Sequence, residues 1–133
     1  MIEGYKIVQI PRISDERGNL SFAELGQLLT FVVKRVYWLY DIKEIRGAHA
    51  HKELQQFIFC THGSVEFTLD DGQQRESVIL DSPDKGLCIT KPLWRELVSF
   101  QNDPQVIVLA SDVYDEQDYI RSYKEFQKWM SIS

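Results

Sequence analysis

Two histidines one residue apart, His49 and His51, sit in the run RGAHAHK from Arg46 to Lys52. They follow a glycine and precede the apolar run Leu54 to Cys60. In an extended chain, side chains at i and i+2 point to the same face, so the two imidazoles project together. Converging imidazoles suit a metal site or acid–base chemistry, and an isolated pair sits equally well on a solvated strand. The surroundings that the rest of the chain supplies choose among these.

At 133 residues, 44% of them hydrophobic, the chain has the length for one domain with a real core and is short for two, so residues 1–133 are expected to form a single domain. A net charge of -5 argues against a nucleic-acid partner, because a polyphosphate backbone selects a basic face. A small nucleotide ligand needs only a few arginines and stays open. The opening MIEGYKIVQIPR carries an acid early and lacks a long apolar core, so it does not read as a signal peptide. No apolar run approaches membrane-spanning length, and the chain is expected in the cytoplasm with no membrane partner. Cys60 and Cys88 each lie inside an apolar run and outside any CxxC pair, which predicts buried free thiols in a reducing compartment.

The elements that must position the histidines read mostly as strands. Tyr5 to Ile13 alternates, with Pro11 confining it to an edge or an end, and Leu20 to Glu24 suggests a second short strand. Val32 to Ile42 is rich in β-branched and aromatic residues and is predicted as a strand buried on both faces, Tyr37 and Leu39 on one, Val36, Trp38 and Tyr40 on the other. A strand over Gln55 to Gly63 should end in a turn, and Ser64 to Leu80 should form a hairpin about a tight primed turn at Asp71-Gly72. Short strands are predicted at 86–90, 97–100 and 105–111. The periodicity then changes: Tyr119, Tyr123, Phe126 and Met130 recur at helical spacing, so one helix over about 115–130, capped by Asp115, is expected to pack that stripe into the core. Many short strands spaced by turns predict an all-β antiparallel barrel closed by one C-terminal helix.

An HxH pair entering a strand of such a chain resembles the first motif of the cupin superfamily, whose fold is a small jelly-roll barrel. His49 and His51 fill its histidines and Gly63 its closing glycine, while Gln56 stands where the acidic metal ligand belongs. Gly86 and Pro92 match the second motif, but Trp94 replaces its glycine and Leu97 its histidine. An amide oxygen is a poor ligand for a first-row transition metal and leucine is none, so the histidines read as free bases titrating near neutral pH.

Longer stretches resemble one family, the nucleotide-sugar 3,4-ketoisomerases: DERG at Asp15, KRVYWLYD at Lys34, RGAHAHK, LDSPDKGL at Leu80, PLWRE at Pro92 and LASDVYDEQDYIRSY at Leu109. The resemblance implies action on dTDP-4-keto-6-deoxyglucose in 3-amino-3,6-dideoxyhexose synthesis for O-antigen or S-layer glycans, a homodimer with exchanged N-terminal strands, and no metal or other cofactor. A ketone at carbon 4 acidifies the hydrogen at carbon 3, so an imidazole working near its own pKa can carry the proton through an enediol.

By that resemblance His49 is the base at carbon 3 and His51 its partner in moving protons between the oxygens and carbon 4. Tyr37 hydrogen-bonds a sugar oxygen or an imidazole, or is a core tyrosine. Arg46 suits the diphosphate, since a guanidinium fork matches phosphate oxygens, and Arg17 has a similar role by analogy with the sugar epimerases. Arg95 occupies a rim position, Gln56 keeps the site hydrogen-bonded without a metal, and His62 is a surface residue. The other readings are a dTDP-sugar 3,5-epimerase, a metal-dependent cupin enzyme, or a cupin that binds a nucleotide sugar without turnover.

Overall fold

The computed structural model describes residues 2–132. Its strands are β1 Tyr5–Gln9, β2 Arg12–Asp15, β3 Gly18–Ser21, β4 Arg35–Leu39, β5 Arg46–His51, β6 Gln56–Asp70, β7 Arg75–Leu80, β8 Lys85–Ile89, β9 Trp94–Ala110 and β10 Tyr119–Ile120, with the helix α1 Tyr123–Ile132 last. Every pairing is antiparallel.

Two long strands organise the barrel. β6 pairs β8 through Gln56 to Phe59 and β7 through Val65 to Asp70, with β9 along its other edge throughout. β9 in turn pairs β5 near its start and β4 over Val106 to Ala110. Each long strand therefore passes from one layer, β1-β8-β6-β9-β4, into a second, β7-β6-β9-β5-β10. The strand breaks expected after Gly63 and within 97–111 are not breaks. They are bulges where the register shifts between Cys60 and Ser64 opposite Gln101 to Gln105. Gly63 takes φ +69° there, and a Cβ on it would come within 2.5 Å of the Gln101 carbonyl oxygen, so the turn signal in the sequence is spent on bending a continuous strand.

Between the layers lies a core of Ile58, Cys60, Val65, Leu69, Leu80, Leu87, Ile89, Leu97 and Val106. Outside the first layer, Leu28, Leu29, Phe31 and Val33 cover Phe57 and Cys88, so this half of β6 is buried on both faces. Outside the second layer, α1 sets Phe126 against Ala50, Trp94 and Ile120. Complete burial of that one phenylalanine is worth roughly 1.5–3 kcal/mol. Both cysteines are buried free thiols.

Several expectations are corrected. β4 is not buried on both faces: Tyr37 and Leu39 point inward, while Trp38 and Tyr40 are about 60% exposed. The helix does not begin at Asp115. That carboxylate caps a single 3-10 turn, Glu116–Asp118, by accepting from Gln117 N–H. The chain then extends so that Tyr119 and Ile120 pair with His51 and Ala50, and α1 starts only at Tyr123. Tyr119 thus leaves the helical stripe it matches in spacing, because sheet pairing outweighs a local periodicity of one residue. At Asp71-Gly72 only the glycine takes positive φ, and the hairpin closes through four residues with the Asp71 carboxylate accepting from Gln73 and Gln74 N–H. A primed two-residue turn of either type would need positive φ at its first central position, Asp71.

β2 and β3 form a separate hairpin, all eight of whose residues are exposed. Among the described residues it pairs with no other strand. Among the described residues no helix is long and apolar enough to cross a membrane.

Candidate active site

A cavity of about 400 Å³ opens between the layers, and β5 brings His49 to it. Along β5 the alternation sends His49 and His51 one way and Ala50 the other, under α1. The register against β9 shifts between Arg46 and His49, with Gly47 at φ +81°, so the glycine before the pair is a bulge that turns Arg46 and His49 toward the same opening.

The two imidazoles meet edge to face, their planes 87° apart, with His49 Nε2 and His51 Nε2 separated by 3.1 Å. His49 lines the cavity. His51, on the same face, is only 2% exposed and stands behind it, so of the two imidazoles His49 alone lines the main cavity. His51 Nδ1 lies 3.0 Å from Asp118 Oδ2. Asp118 also accepts from Glu53 N–H at 2.7 Å and from Leu54 N–H at 3.3 Å, which locks the carboxylate in place.

This chain of contacts sets the tautomers. A carboxylate only accepts, so His51 Nδ1 carries its hydrogen and donates it to Asp118; neutral His51 then offers a lone pair at Nε2. His49 must donate from Nε2, which leaves its Nδ1 as a free acceptor. Among the described residues nothing bonds that nitrogen, and it is not a buried orphan.

Burial first, then the Arg95 guanidinium, hold both imidazoles down to about 3. The expectation of titration near neutral pH is therefore overturned: surrounding cations and low polarity keep the pair neutral at physiological pH. Arg95 itself is not on the rim. It is 3% exposed, and burial brings it down only to about 10, so it remains a cation at neutral pH.

Tyr37, from the inner face of β4, and Gln56, from the start of β6, line the cavity with Arg46 and Arg95. Arg95 donates to the Gln56 amide oxygen at 2.5 Å, and the Gln56 amide nitrogen donates to Tyr37 Oη at 2.8 Å. Burial raises the Tyr37 phenol above its usual range, so it stays protonated as a proton donor.

Four residues escaped the sequence reading. Asp118 orients His51. Tyr119 packs its ring 5.1 Å from that of His49 and 4.4 Å from that of His51. Arg121 lies 4.2 Å over the Tyr119 ring and forks onto Glu116. Arg35 lines the cavity beside the Tyr37 ring, its Nε buried with no partner. A charged residue inside the apolar run VVKRVYW was the available signal for Arg35, and DYIR within the tail motif was the signal for the others. Four guanidiniums, from Arg35, Arg46, Arg95 and Arg121, now face one cavity, which suits an anionic ligand.

Arg17 is not brought there. It sits at the tip of the β2–β3 hairpin, its side chain 87% exposed and paired with Asp15 at 2.7 Å. His62 is a surface residue whose Nδ1 meets the Asp103 carbonyl.

A two-layer antiparallel barrel with this histidine-lined cavity defines the chain as a cupin-type sugar isomerase or epimerase fold. Residues 3–131 match the family model FdtA: WxcM-like, C-terminal, and the chain belongs to that family. It is 43% identical over 128 residues to the TDP-4-oxo-6-deoxy-alpha-D-glucose-3,4-oxoisomerase of Aneurinibacillus thermoaerophilus, covering 95% of this chain and 92% of that protein. A 3,4-ketoisomerase from Helicobacter canadensis superposes with a TM-score of 0.91 at 43% identity, over 96% of this chain and 97% of that one. A histidine-to-asparagine mutant of the 3,4-ketoisomerase QdtA from Thermoanaerobacterium thermosaccharolyticum, in complex with TDP-4-keto-6-deoxyglucose, superposes with a TM-score of 0.95 at 32% identity, over 99% and 97%. The chain is an isomerase, an intramolecular oxidoreductase that interconverts keto groups.

Proposed function

We propose that the chain converts dTDP-4-keto-6-deoxyglucose to the dTDP-3-keto-6-deoxyhexose by proton transfer through an enediol, feeding a transamination that makes a 3-amino-3,6-dideoxyhexose. The observation that carries this is His49, which lines the cavity with Nε2 engaged by His51 and Nδ1 unbonded among the described residues, backed by His51 and Asp118.

His49 Nδ1 takes the proton from carbon 3. The electron pair of that C–H bond becomes the carbon 3–carbon 4 double bond, and the carbonyl pair moves onto oxygen 4, which takes the Tyr37 hydroxyl hydrogen. Oxygen 3 then returns its proton to Tyr37 as the carbon 3 carbonyl forms, and the double-bond pair takes the proton from His49 at carbon 4. One side chain serves the carbons and the other the oxygens, so atoms balance with no cofactor. His51 acts through His49, sharing the imidazolium charge with Asp118, instead of touching carbon 4 itself. Arg46, with Arg35 and Arg121, is set at the cavity to meet the diphosphate.

Proton NMR of the protein with this substrate in deuterated buffer tests the reading. A new 3-keto species is expected, carrying deuterium at carbon 4 to the extent that the His49 imidazolium exchanges its proton with solvent before returning it. Exchange at carbons 3 and 5 without ketone migration would make the chain an epimerase, and TDP-sugar binding with no exchange at all would make it a binding protein.

We further propose that two copies exchange their N-terminal hairpins, which gives Arg17 a place at the partner's cavity. Support comes from the β2–β3 hairpin, which pairs with no other strand among the described residues and leaves Ile13 and Leu20 each 57% exposed. Light scattering should give twice the chain mass, falling to one chain when both are replaced by Asp; a monomeric wild type would refute the exchange.

A further inference from the structure

The hydrogen-bond chain Arg95–Gln56–Tyr37 has a direction, and the direction follows from Arg95. This guanidinium donates from Nε and one terminal nitrogen to the Leu93 carbonyl, at 3.2 and 3.0 Å, and from the other to the Gln56 side chain at 2.5 Å. A guanidinium has no acceptor, so the Gln56 atom facing it is the amide oxygen. The amide NH2 is then the group 2.8 Å from Tyr37 Oη, and it donates. Gln56 is 2% exposed and starts a strand paired on both edges, to Ile89 and to Ala110, so its backbone offers no alternative placement. The Tyr37 oxygen accepts from within the protein, and its own hydrogen has no partner among the described residues. That hydrogen is left for the cavity that Tyr37 lines.

We propose that Gln56 is a positioning residue for the proton transfer, holding Tyr37 so that its hydroxyl hydrogen points at the substrate oxygens. The inference rests on the isomerase reading above and deepens it: the amide at this position is required for its polarity. A glutamate of the same shape would accept from Arg95 and from Tyr37 alike, and would draw the phenolic hydrogen out of the cavity. Arg95, a buried cation with no carboxylate among its hydrogen-bond partners, would accommodate that carboxylate sterically and electrostatically.

The test compares Gln56→Glu, Gln56→Met, Tyr37→Phe and the two double variants. For Gln56→Glu, kcat should fall about 100-fold, the scale of one lost proton-transfer group, with KM changed by no more than about threefold and TDP affinity intact. Gln56→Met, which introduces no buried charge, removes both hydrogen bonds without capturing the hydrogen and should cost less than Glu. In the Tyr37→Phe background neither Gln56 substitution should lower kcat further. Carbon-13 NMR of labelled tyrosine in the substrate-free protein should show Tyr37 ionising at higher pH in Gln56→Glu than in wild type. Equal losses for Glu and Met, multiplicative losses in the double variants, or an unmoved Tyr37 titration would each overturn the proposal. Failure of the wild type to turn over the sugar would instead overturn the isomerase reading, while the tyrosine titration would still report on Gln56.

Discussion

His49→Asn should leave a folded protein that binds TDP as wild type does but turns over at least about 1,000-fold more slowly, because it removes the group that accepts the carbon 3 proton. Asparagine is smaller and uncharged, and the His51–Asp118 contact that ties β5 to the tail does not involve residue 49, so it is kept. The loss should lie in kcat and in deuterium exchange at carbon 3 together. The same geometry sets the pH dependence of the wild type. An imidazole held at about 3 is already deprotonated at pH 5, so its base form stays near full occupancy as pH falls through the range where an ordinary histidine protonates. Accordingly kcat/KM should run level from pH 8 down to about 5. Turnover by His49→Asn within tenfold of wild type, or an acid limb centred near 6.5, would remove His49 from the role.

Asp118→Asn should be nearly as damaging, although Asp118 lines no part of the main cavity. The backbone N–H of Glu53, 2.7 Å from Oδ1, is the closest donor to the carboxylate and will hold the one oxygen an asparagine retains. The NH2 group then faces His51 Nδ1. His51 must accept there and carry its hydrogen on Nε2, so His49 accepts at Nε2 and carries its own hydrogen on Nδ1. Each ring is reversed, and the lone pair disappears from the cavity. A reversed tautomer at a catalytic histidine costs on the order of 10⁴ in kcat in serine proteases, and a loss of about 10³ to 10⁴ is expected here. The weaker contact from Leu54 N–H is also orphaned, at about 1 kcal/mol of stability. Nitrogen-15 NMR reads the tautomers directly, since the chain has only 3 histidines. Unchanged His49 nitrogen shifts with unchanged turnover would break the relay from Asp118 to His49.

Much of this site was legible in the residues because it obeys local rules. The i, i+2 spacing of His49 and His51 holds in the structure because β5 is a strand, and a strand alternates whatever surrounds it. Tyr37 reached the cavity for the same reason, on the face of β4 opposite Trp38. Burial was less legible. Whether a second layer of chain covers a face depends on distant segments, such as 28–33 over Phe57, and among the described residues no such segment covers Trp38.

Residue type and short spacing carry most of the strands, the paired imidazoles, the replacement of carboxylate and histidine by Gln56 and Leu97, and the family. It took the folded chain to bring Asp118, 67 residues from His51, to the place where it fixes which nitrogen of His49 is free. The fold alone showed Tyr119 leaving a helical stripe for a strand, and Arg17 held away from its own chain's cavity. It also moved the histidines from neutral pH to about 3. Composition cannot supply that shift, because it is the loss of water and the approach of the buried Arg95 guanidinium, 44 residues beyond His51, that make a second positive charge unfavourable there.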